Sequence, residues 1–319
     1  MSAAVHASAA RDLCGVLLNA RARGVARDRA LLGAVRTLVG GDGRVEVTDD
    51  LAQLPGAAER VLAGAPRVVA LAGGDGTLSC GLAALESASA RLGLPLPPLL
   101  ILSAGTMTTI VRGLGEARPP LEALAAALRD LREGLPLRVE HVPFLRANGA
   151  PGFLVGSVVV ARLIDLYERG GAAGPAGAWR VLPGVVARAL LGGGGGQGLF
   201  APEPVRLTVD GMRLPQARVR VLLAGTVADV GIGMKFLYRA RERAGLFHLV
   251  ALDASPPLLA RRFPRAFLGR PWHLPDSFDG LAARAEVEFA AEQPYIHDGE
   301  LRRARVLNIE HGGELALIR

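Results

Sequence analysis

Gly73-Gly74-Asp75-Gly76-Thr77 stands where an apolar run stops, inside LAGGDGTLSCGL at positions 71 to 82. A strand that ends there and restarts as a helix leaves bare backbone N–H groups and a helix N-terminus at the carboxyl edge of a sheet, where phosphates bind. The glycines let phosphate oxygens approach the main chain, and Thr77 adds a hydroxyl near the helix start. A carboxylate there repels phosphate unless a proton or a divalent cation intervenes, so Asp75 points to Mg²⁺, held directly or through water. The same five residues also read as a helix capped by Asp75, with no chemistry.

SAGTMTTIVRGLG (103 to 115) repeats the logic: small residues, Gly105, then Thr106 at a helix start, a second phosphate-facing corner beside the first. Its plain alternative is a helix capped by Thr106. Far downstream, YIHDGELRRARVLNIE (295 to 310) sets Asp298-Gly299-Glu300 before a strand, so a tight turn holds two acids at the lip of a β domain. An ordinary hairpin turn, like Asp210-Gly211 in LTVDGMRLP, is the competing reading.

Elements able to position these residues are visible around them. LCGVLL (13 to 18), RVVALAG (67 to 73) and PPLLILSAG (97 to 105) are short apolar runs, each followed by helix-like sequence. Helices are expected around 27 to 39 and 76 to 91, and LEALAAALRDLREG (121 to 134) closes an α/β domain with a parallel sheet over residues 1 to 135, its last helix ending at Gly134. Beyond it, residues 136 to 319 read as an antiparallel β-sandwich domain, its last residues packing back toward the first. The strands begin with two around an Asn148-Gly149 turn and continue through PVRLTVDG, ARVRVLLAG, GLFHLVAL, ARAEVEFA and ARVLNIE. A helical insertion, ARLIDLYERG and AWRVLPGVVARALL, interrupts them, and glycines 192 to 196 read as a flexible exit from it.

Composition narrows the function classes. No stretch reaches the roughly 18 to 20 apolar residues of a membrane-spanning helix, and the N-terminal stretch fits a first strand better than an export signal, so the chain reads as cytoplasmic. Cys14 and Cys80 are too few for a disulfide framework or a zinc site. The net charge of +7 comes almost wholly from arginine, Lys235 being the only lysine, and favours anionic partners. No basic-aromatic stripe of the kind that stacks bases stands out, which argues against a nucleic-acid partner.

GGDGT after a strand, a GT corner after the next strand and a DGE turn near the end of a β-rich half together resemble the diacylglycerol kinase catalytic family, which is related to the sphingosine and ceramide kinases. The resemblance runs from LLNARARG, similar to a worn form of the family's first-strand NPxSG motif, to IHDGELRRARVLNIEHGGELALI, and so covers nearly the whole chain. It implies a two-domain enzyme with ATP in the cleft between an α/β domain and a lipid domain, transferring the γ-phosphoryl group to a lipid hydroxyl with Mg²⁺. By similarity, Gly73, Gly74, Gly76 and Thr77 would hold phosphates, Asp75 would act through Mg²⁺, and Gly105 and Thr106 would complete the nucleotide site. Asp298 would be the general base, with Glu300 beside it at the metal or in orientation; exchange of the roles of Asp75 and Asp298 is the nearest variant.

The chain also departs from the family. Where the family has GTxND, this sequence has Gly105-Thr106-Met107-Thr108-Thr109, which bears on nucleotide affinity or base preference. RERAG, with Arg243 and Ala244, stands where many bacterial members carry acids of a structural Mg²⁺ site, so that second metal is expected to be absent, with Arg239, Arg241 or Arg243 as a substitute charge. SPPLLARRFPRAFLGRPWHLP (255 to 275) reads as a basic-aromatic loop. Its arginines would meet anionic headgroups while Phe263, Phe267 and Trp272 either enter the bilayer interface or pack inward. AWRVLPGVVARALL is a competing lipid contact.

No lysine follows either corner at Walker-loop spacing, the G-x-G-x-x-G match at 192 to 198 follows no strand, and His297 reads as a surface or packing residue. The leading expectation is a lipid kinase peripherally associated with an anionic membrane. A soluble-substrate kinase like the NAD kinases and a non-catalytic lipid-binding or regulatory protein are its rivals.

Overall fold

A computed structural model describes residues 12–22, 25, 29–103, 109–114, 118–169, 198–230 and 233–319. By contact the chain divides into two compact units. One comprises Met1–Thr106, Ala117–His141 and Ala316–Arg319, the other Met107–Glu116 and Val142–Leu315.

In the first unit β1 (Cys14–Asn19), β2 (Gly43–Thr48), β3 (Val68–Gly73) and β4 (Leu99–Ser103) form a parallel sheet in the order β4-β3-β1-β2. The central strands CGVLLN and VVALAG are almost wholly buried, as expected of parallel strands covered on both faces. Helices α1 (Arg29–Val39), α2 (Leu54–Ala63) and α3 (Asp75–Leu92) connect them; after β4 come α4 (Thr109–Gly113), which belongs to the second unit, and α5 (Pro120–Arg132). On one face Leu31, Val35 and Val39 of α1 and Leu124, Leu128 and Leu131 of α5 join Val16, Leu18, Ala70 and Leu100 in one core.

The periodicity reading omits β2 and α2. GRVEVT is a half-buried edge strand with two charges in six residues, and α2 opens on Leu-Pro-Gly, so neither carries a strong apolar period. The expected helix over 121 to 134 is α5, closed at Gly134 with φ +68°. The second stretch of the expected insertion and the glycine run after it lie outside the described residues, as do positions 1 to 11. Among the described residues no helix is long and apolar enough to cross a membrane.

The second unit is antiparallel. Its strands are β5 (Val139–Ala147, which begins in the first unit), β6 (Ala150–Gly152), β7 (Leu154–Val158), β8 (Glu203–Val209), β9 (Met212–Arg213), β10 (Arg218–Val219), β11 (Val221–Gly225), β12 (Phe247–Leu252), β13 (Phe278–Ala282), β14 (Arg284–His297) and β15 (Glu300–Ile318). The main path runs β13-β12-β11-β7-β14-β15. A register shift between Glu288 and Gln293 lets the first half of β14 pair with β8 and the second with β7, so one long strand serves two parts of the sheet. One core runs from Leu145 and Val155 through Leu207, Leu249 and Val287 to Ile309, and another gathers Leu223, Leu237, Val250 and Trp272. Helix α6 (Val159–Arg169) follows β7.

Residues 255 to 267 correct the loop expectation. Pro256 to Phe267 form a helix, α7, despite three prolines: Pro256 and Pro257 occupy the first turn, where missing N–H groups cost nothing, and Pro264 stands near the end. The aromatics pack inward, with Phe263 edge-on to Phe236 at 5.4 Å and Trp272 5.5 Å from Phe236. Arg261, Arg265 and Arg270 remain exposed, with Leu268 66% exposed beside them.

A polar network ties this region together. His248, fully buried on β12, shares a 2.8 Å hydrogen bond through Nε2 with Asp279 Oδ1, while Trp272 N and the Tyr238 hydroxyl donate to the same carboxylate. Burial pushes the Asp279 carboxyl up, but the hydrogen bonds from His248 and Trp272 outweigh it and hold the group below the usual carboxylate value. Burial and the Asp279 charge push Tyr238 up to about 12, so it stays a donor. Alongside, Arg239 makes a bidentate pair with Glu242 at 2.7 and 2.9 Å.

Because its pKa is depressed on folding, the Asp279 carboxylate stabilises fully above the ordinary value of 3.8, and that contribution fades as pH falls through the folded value. Asp279→Ala is therefore expected to lower stability by about 2–4 kcal/mol in denaturant melts at pH 7. The gap to wild type should narrow below about pH 4.

Candidate functional site

The first corner is built as its residue types require. β3 ends at Gly73, Gly74 is the N-cap of α3 in an extended conformation (φ −101°, ψ −169°), and no side chain caps the helix there. Asp75 is the first helical residue and not the cap, which removes the plain capping reading; it is 8% exposed. A Cβ on Gly73 would meet Thr77 Oγ1 at 2.4 Å and Thr77 Cβ at 2.5 Å, so only glycine allows the threonine to lie over the strand end.

Thr77 is held from the other side by Asn19, whose Nδ2 donates to Oγ1 at 2.9 Å. The Asn19 Oδ1 accepts from Arg21 N at 2.9 Å, so the one side chain joins the end of β1 to the start of α3. Reasoning from sequence passed over Asn19 as a site residue. Its signal was present: a lone amide at the end of a buried strand, in the stretch that resembles the family's first motif.

Gly73 pairs with Ser103, so β3 and β4 end level. Gly105 and Thr106, the expected second corner, lie outside the described residues, as do Met107 and Thr108; Thr109 begins α4.

In the second unit Asp298 and Gly299 take φ +50° and +89°, the left-handed pair of a type I′ hairpin. Asn148-Gly149 and Asp210-Gly211 do the same. Each left-handed residue also fastens its hairpin tip to another strand: Asn148 Oδ1 accepts from Asn308 N at 2.8 Å, and Asp210 Oδ1 from Ala283 N and Arg284 N at 3.0 and 2.8 Å. Asp298 Oδ1 accepts from Phe153 N and Leu154 N at 3.0 and 2.7 Å. The hairpin reading of Asp298 is thus correct as geometry. What separates this turn is burial: Asp298 is 2% exposed, whereas Asp210 is exposed.

Glu300 pairs with Arg302 at 3.0 Å. His297 is 1% exposed, which makes it a buried residue and not a surface one; burial foremost, then the Arg302 charge, push its pKa down to about 4, so its ring is neutral. Asp298, Glu300 and His297 are brought together on one hairpin. Asp75, Gly73, Gly74, Gly76 and Thr77 are brought together in the other unit. Among the described residues no cluster of three or more His, Cys, Asp or Glu side chains could hold a metal alone, so an ion at Asp75 needs ligands from a substrate or water.

No protein-family model and no curated protein sequence matches the chain. Solved structures do. A candidate diacylglycerol kinase from Bacillus anthracis str. Sterne is 18% identical with TM-score 0.70, covering 96% of this chain and 97% of that one. A structure described as a diacylglycerol kinase from the same organism is 16% identical with TM-score 0.62, covering 96% of both chains. Yeast NADH kinase complexed with NADH is 8% identical with TM-score 0.53, over 96% of this chain and 82% of that one. This chain has the fold of these proteins.

Two measurements check the geometry. Gly73→Ala forces its methyl against Thr77 and is expected to cost about 1–3 kcal/mol, against about 1 for Asn19→Ala; a Gly73→Ala protein as stable as wild type contradicts the packing. His297 takes up a proton at 6.5 when unfolded and only at about 4 when folded, so stability is full above pH 6.5 and falls with pH across that window. The slope should be up to about 1.4 kcal/mol per pH unit, and His297→Phe should flatten it.

Proposed function

We propose that this chain, with its diacylglycerol kinase fold, is an ATP-dependent lipid kinase that transfers the γ-phosphoryl group of ATP to a lipid hydroxyl, diacylglycerol being the nominal acceptor. The observation that carries the proposal is the helix start at Gly74. Strand β3 delivers, through Gly74 alone, the N-terminus of an eighteen-residue helix, with glycines at 73, 74 and 76 and Thr77 around it.

On this reading Gly73, Gly74, Gly76 and Thr77 hold phosphate oxygens through main-chain N–H groups and one hydroxyl, and the helix dipole favours their charge. Asn19 keeps the Thr77 hydroxyl in place. Gly105 and Thr106 complete the nucleotide site. The residues fit Mg²⁺: the buried Asp75 carboxylate would hold the ion together with ATP phosphates and water, as magnesium commonly binds in kinases. Bound there, the ion would neutralise charge on the phosphates during transfer.

The acceptor side belongs to the second unit. Asp298, held by two backbone amides, takes the proton of the acceptor hydroxyl, and Glu300, itself fixed by Arg302, orients or assists at the metal. Exposed Arg261 and Arg265 on α7, with exposed Leu268 and Arg270 just beyond its end, supply contact with an anionic membrane through charge and one apolar side chain. Phe263 and Phe267 pack against the core and are only partly exposed. The likeness to an NADH kinase keeps NAD as a second acceptor to be tried.

Purified protein given labelled ATP and Mg²⁺ with mixed-lipid vesicles is expected to place label in a chloroform-soluble product. Label on NAD in a parallel reaction moves the reading to a soluble-substrate kinase, and no transfer in either leaves a non-catalytic protein. Asp298→Asn should lose about 10²-fold or more in turnover while staying folded. Wild-type turnover in that variant removes Asp298 as the base.

A further inference from the structure

We propose that His297 binds the acceptor hydroxyl beside Asp298, so that an imidazole N–H and a carboxylate grip a single alcohol oxygen. The inference rests on the kinase reading above and adds the side chain that touches the group being phosphorylated.

The observation is a buried ring with nothing to bond. Neither Nδ1 nor Nε2 of His297 has a hydrogen-bond partner, although the residue is almost wholly enclosed. A neutral imidazole carries one donor and one acceptor, and leaving both unmade in an interior is costly. For packing alone, leucine or phenylalanine would fill the space without that cost.

The surroundings indicate what completes the ring. Gly152 has no side chain, and a Cβ there would meet His297 Nε2 at 2.0 Å and Asp298 Oδ2 at 2.6 Å, so imidazole and carboxylate both pack against the same glycine, as only its missing side chain allows. Asp298 is fixed by Phe153 N and Leu154 N. The same peptide accepts, through Phe153 O, the N–H of Thr226, whose buried Oγ1 is a second polar atom without a partner. Across the hairpin His297 stands opposite Glu300, which is paired with Arg302.

An alcohol matches this pair. Its O–H donates to the Asp298 carboxylate while its oxygen accepts from the His297 N–H. A phosphate or carboxylate would meet Asp298 as a like charge, a ketone or ester has no proton to give it, and an ammonium would meet the nearby Arg302 charge. In transfer, the acceptor oxygen forms its bond to the γ-phosphorus as the bond from phosphorus to the bridging oxygen breaks and ADP leaves with that electron pair. The hydroxyl proton passes to Asp298, and the His297 N–H stays on the acceptor oxygen throughout.

The test uses the full chain with Mg²⁺, ATP and dioctanoylglycerol in detergent micelles. His297→Phe, which keeps a packed ring and drops the N–H, should raise the acceptor KM about tenfold or more and leave the KM for ATP unchanged. His297→Gln, which restores an N–H, should recover most of the loss. Independently of turnover, the His297 ring ¹⁵N signals, assigned by their loss in His297→Phe, should shift when dioctanoylglycerol micelles or glycerol are added, relative to empty micelles. An unchanged acceptor KM in folded His297→Phe, or ring signals that neither probe moves, overturns the inference. A ring shift without any phosphoryl transfer keeps the hydroxyl site and removes the kinase reading. Transfer with an indifferent His297 does the reverse, and neither transfer nor shift removes both.

Discussion

A Cβ at Gly73 would stand 2.4 Å from the Thr77 hydroxyl oxygen, and the first unit is arranged around that missing atom. Because it is missing, the first turn of α3 can fold directly over the end of β3, with one residue, Gly74, as the whole connection. The helix N-terminus then follows directly on the strand end, and Asn19 braces the turn from the neighbouring strand. A larger residue at 73 would push the helix away and lengthen the loop. The strand-to-helix corner is thus a consequence of close packing between one strand and one helix, and the buried Asp75 is carried into it by its position in the first turn.

The second unit uses one local device three times and alters its surroundings once. Asn148, Asp210 and Asp298 each hold a left-handed turn and each stitch the hairpin tip to a neighbouring strand. At 148 and 210 the stitch lies at the surface, and structure accounts for it fully. At 298 it lies inside, next to a neutral histidine with empty hydrogen-bonding positions and a glycine against which both groups pack closely. The turn chemistry fixes where the carboxylate points; the burial sets it apart from the other two.

Much of this was readable from sequence, and the misses share a cause. The central strands are continuous apolar runs and the turn pairs are Asn-Gly and Asp-Gly, signals carried by adjacent residues. Strand β2 and helix α2 escaped because their apolar faces are narrow and interrupted by charge, proline and glycine. Helix α7 reads as a loop in sequence because proline is a helix breaker, although two of its prolines sit where a helix tolerates them. Asn19 and His297 depend on partners remote in the chain: Asn19 on Thr77, 58 positions on, and the His297 hairpin on Phe153, 145 positions before Asp298. Spacing cannot reveal such pairs, because nothing local distinguishes them from ordinary strand ends.

The central claim is that Gly73 to Thr77 form a phosphate site in which Asp75 works through a divalent cation. Calorimetric titration of ATP into the full chain, with Mg²⁺ and with chelator, tests it most directly when run on wild type and on Asp75→Asn. The account predicts binding by wild type that strengthens with Mg²⁺, and loss of that Mg²⁺ dependence in the folded variant. Wild-type protein that binds no ATP, or an Asp75→Asn protein that keeps the full Mg²⁺ dependence, would contradict it.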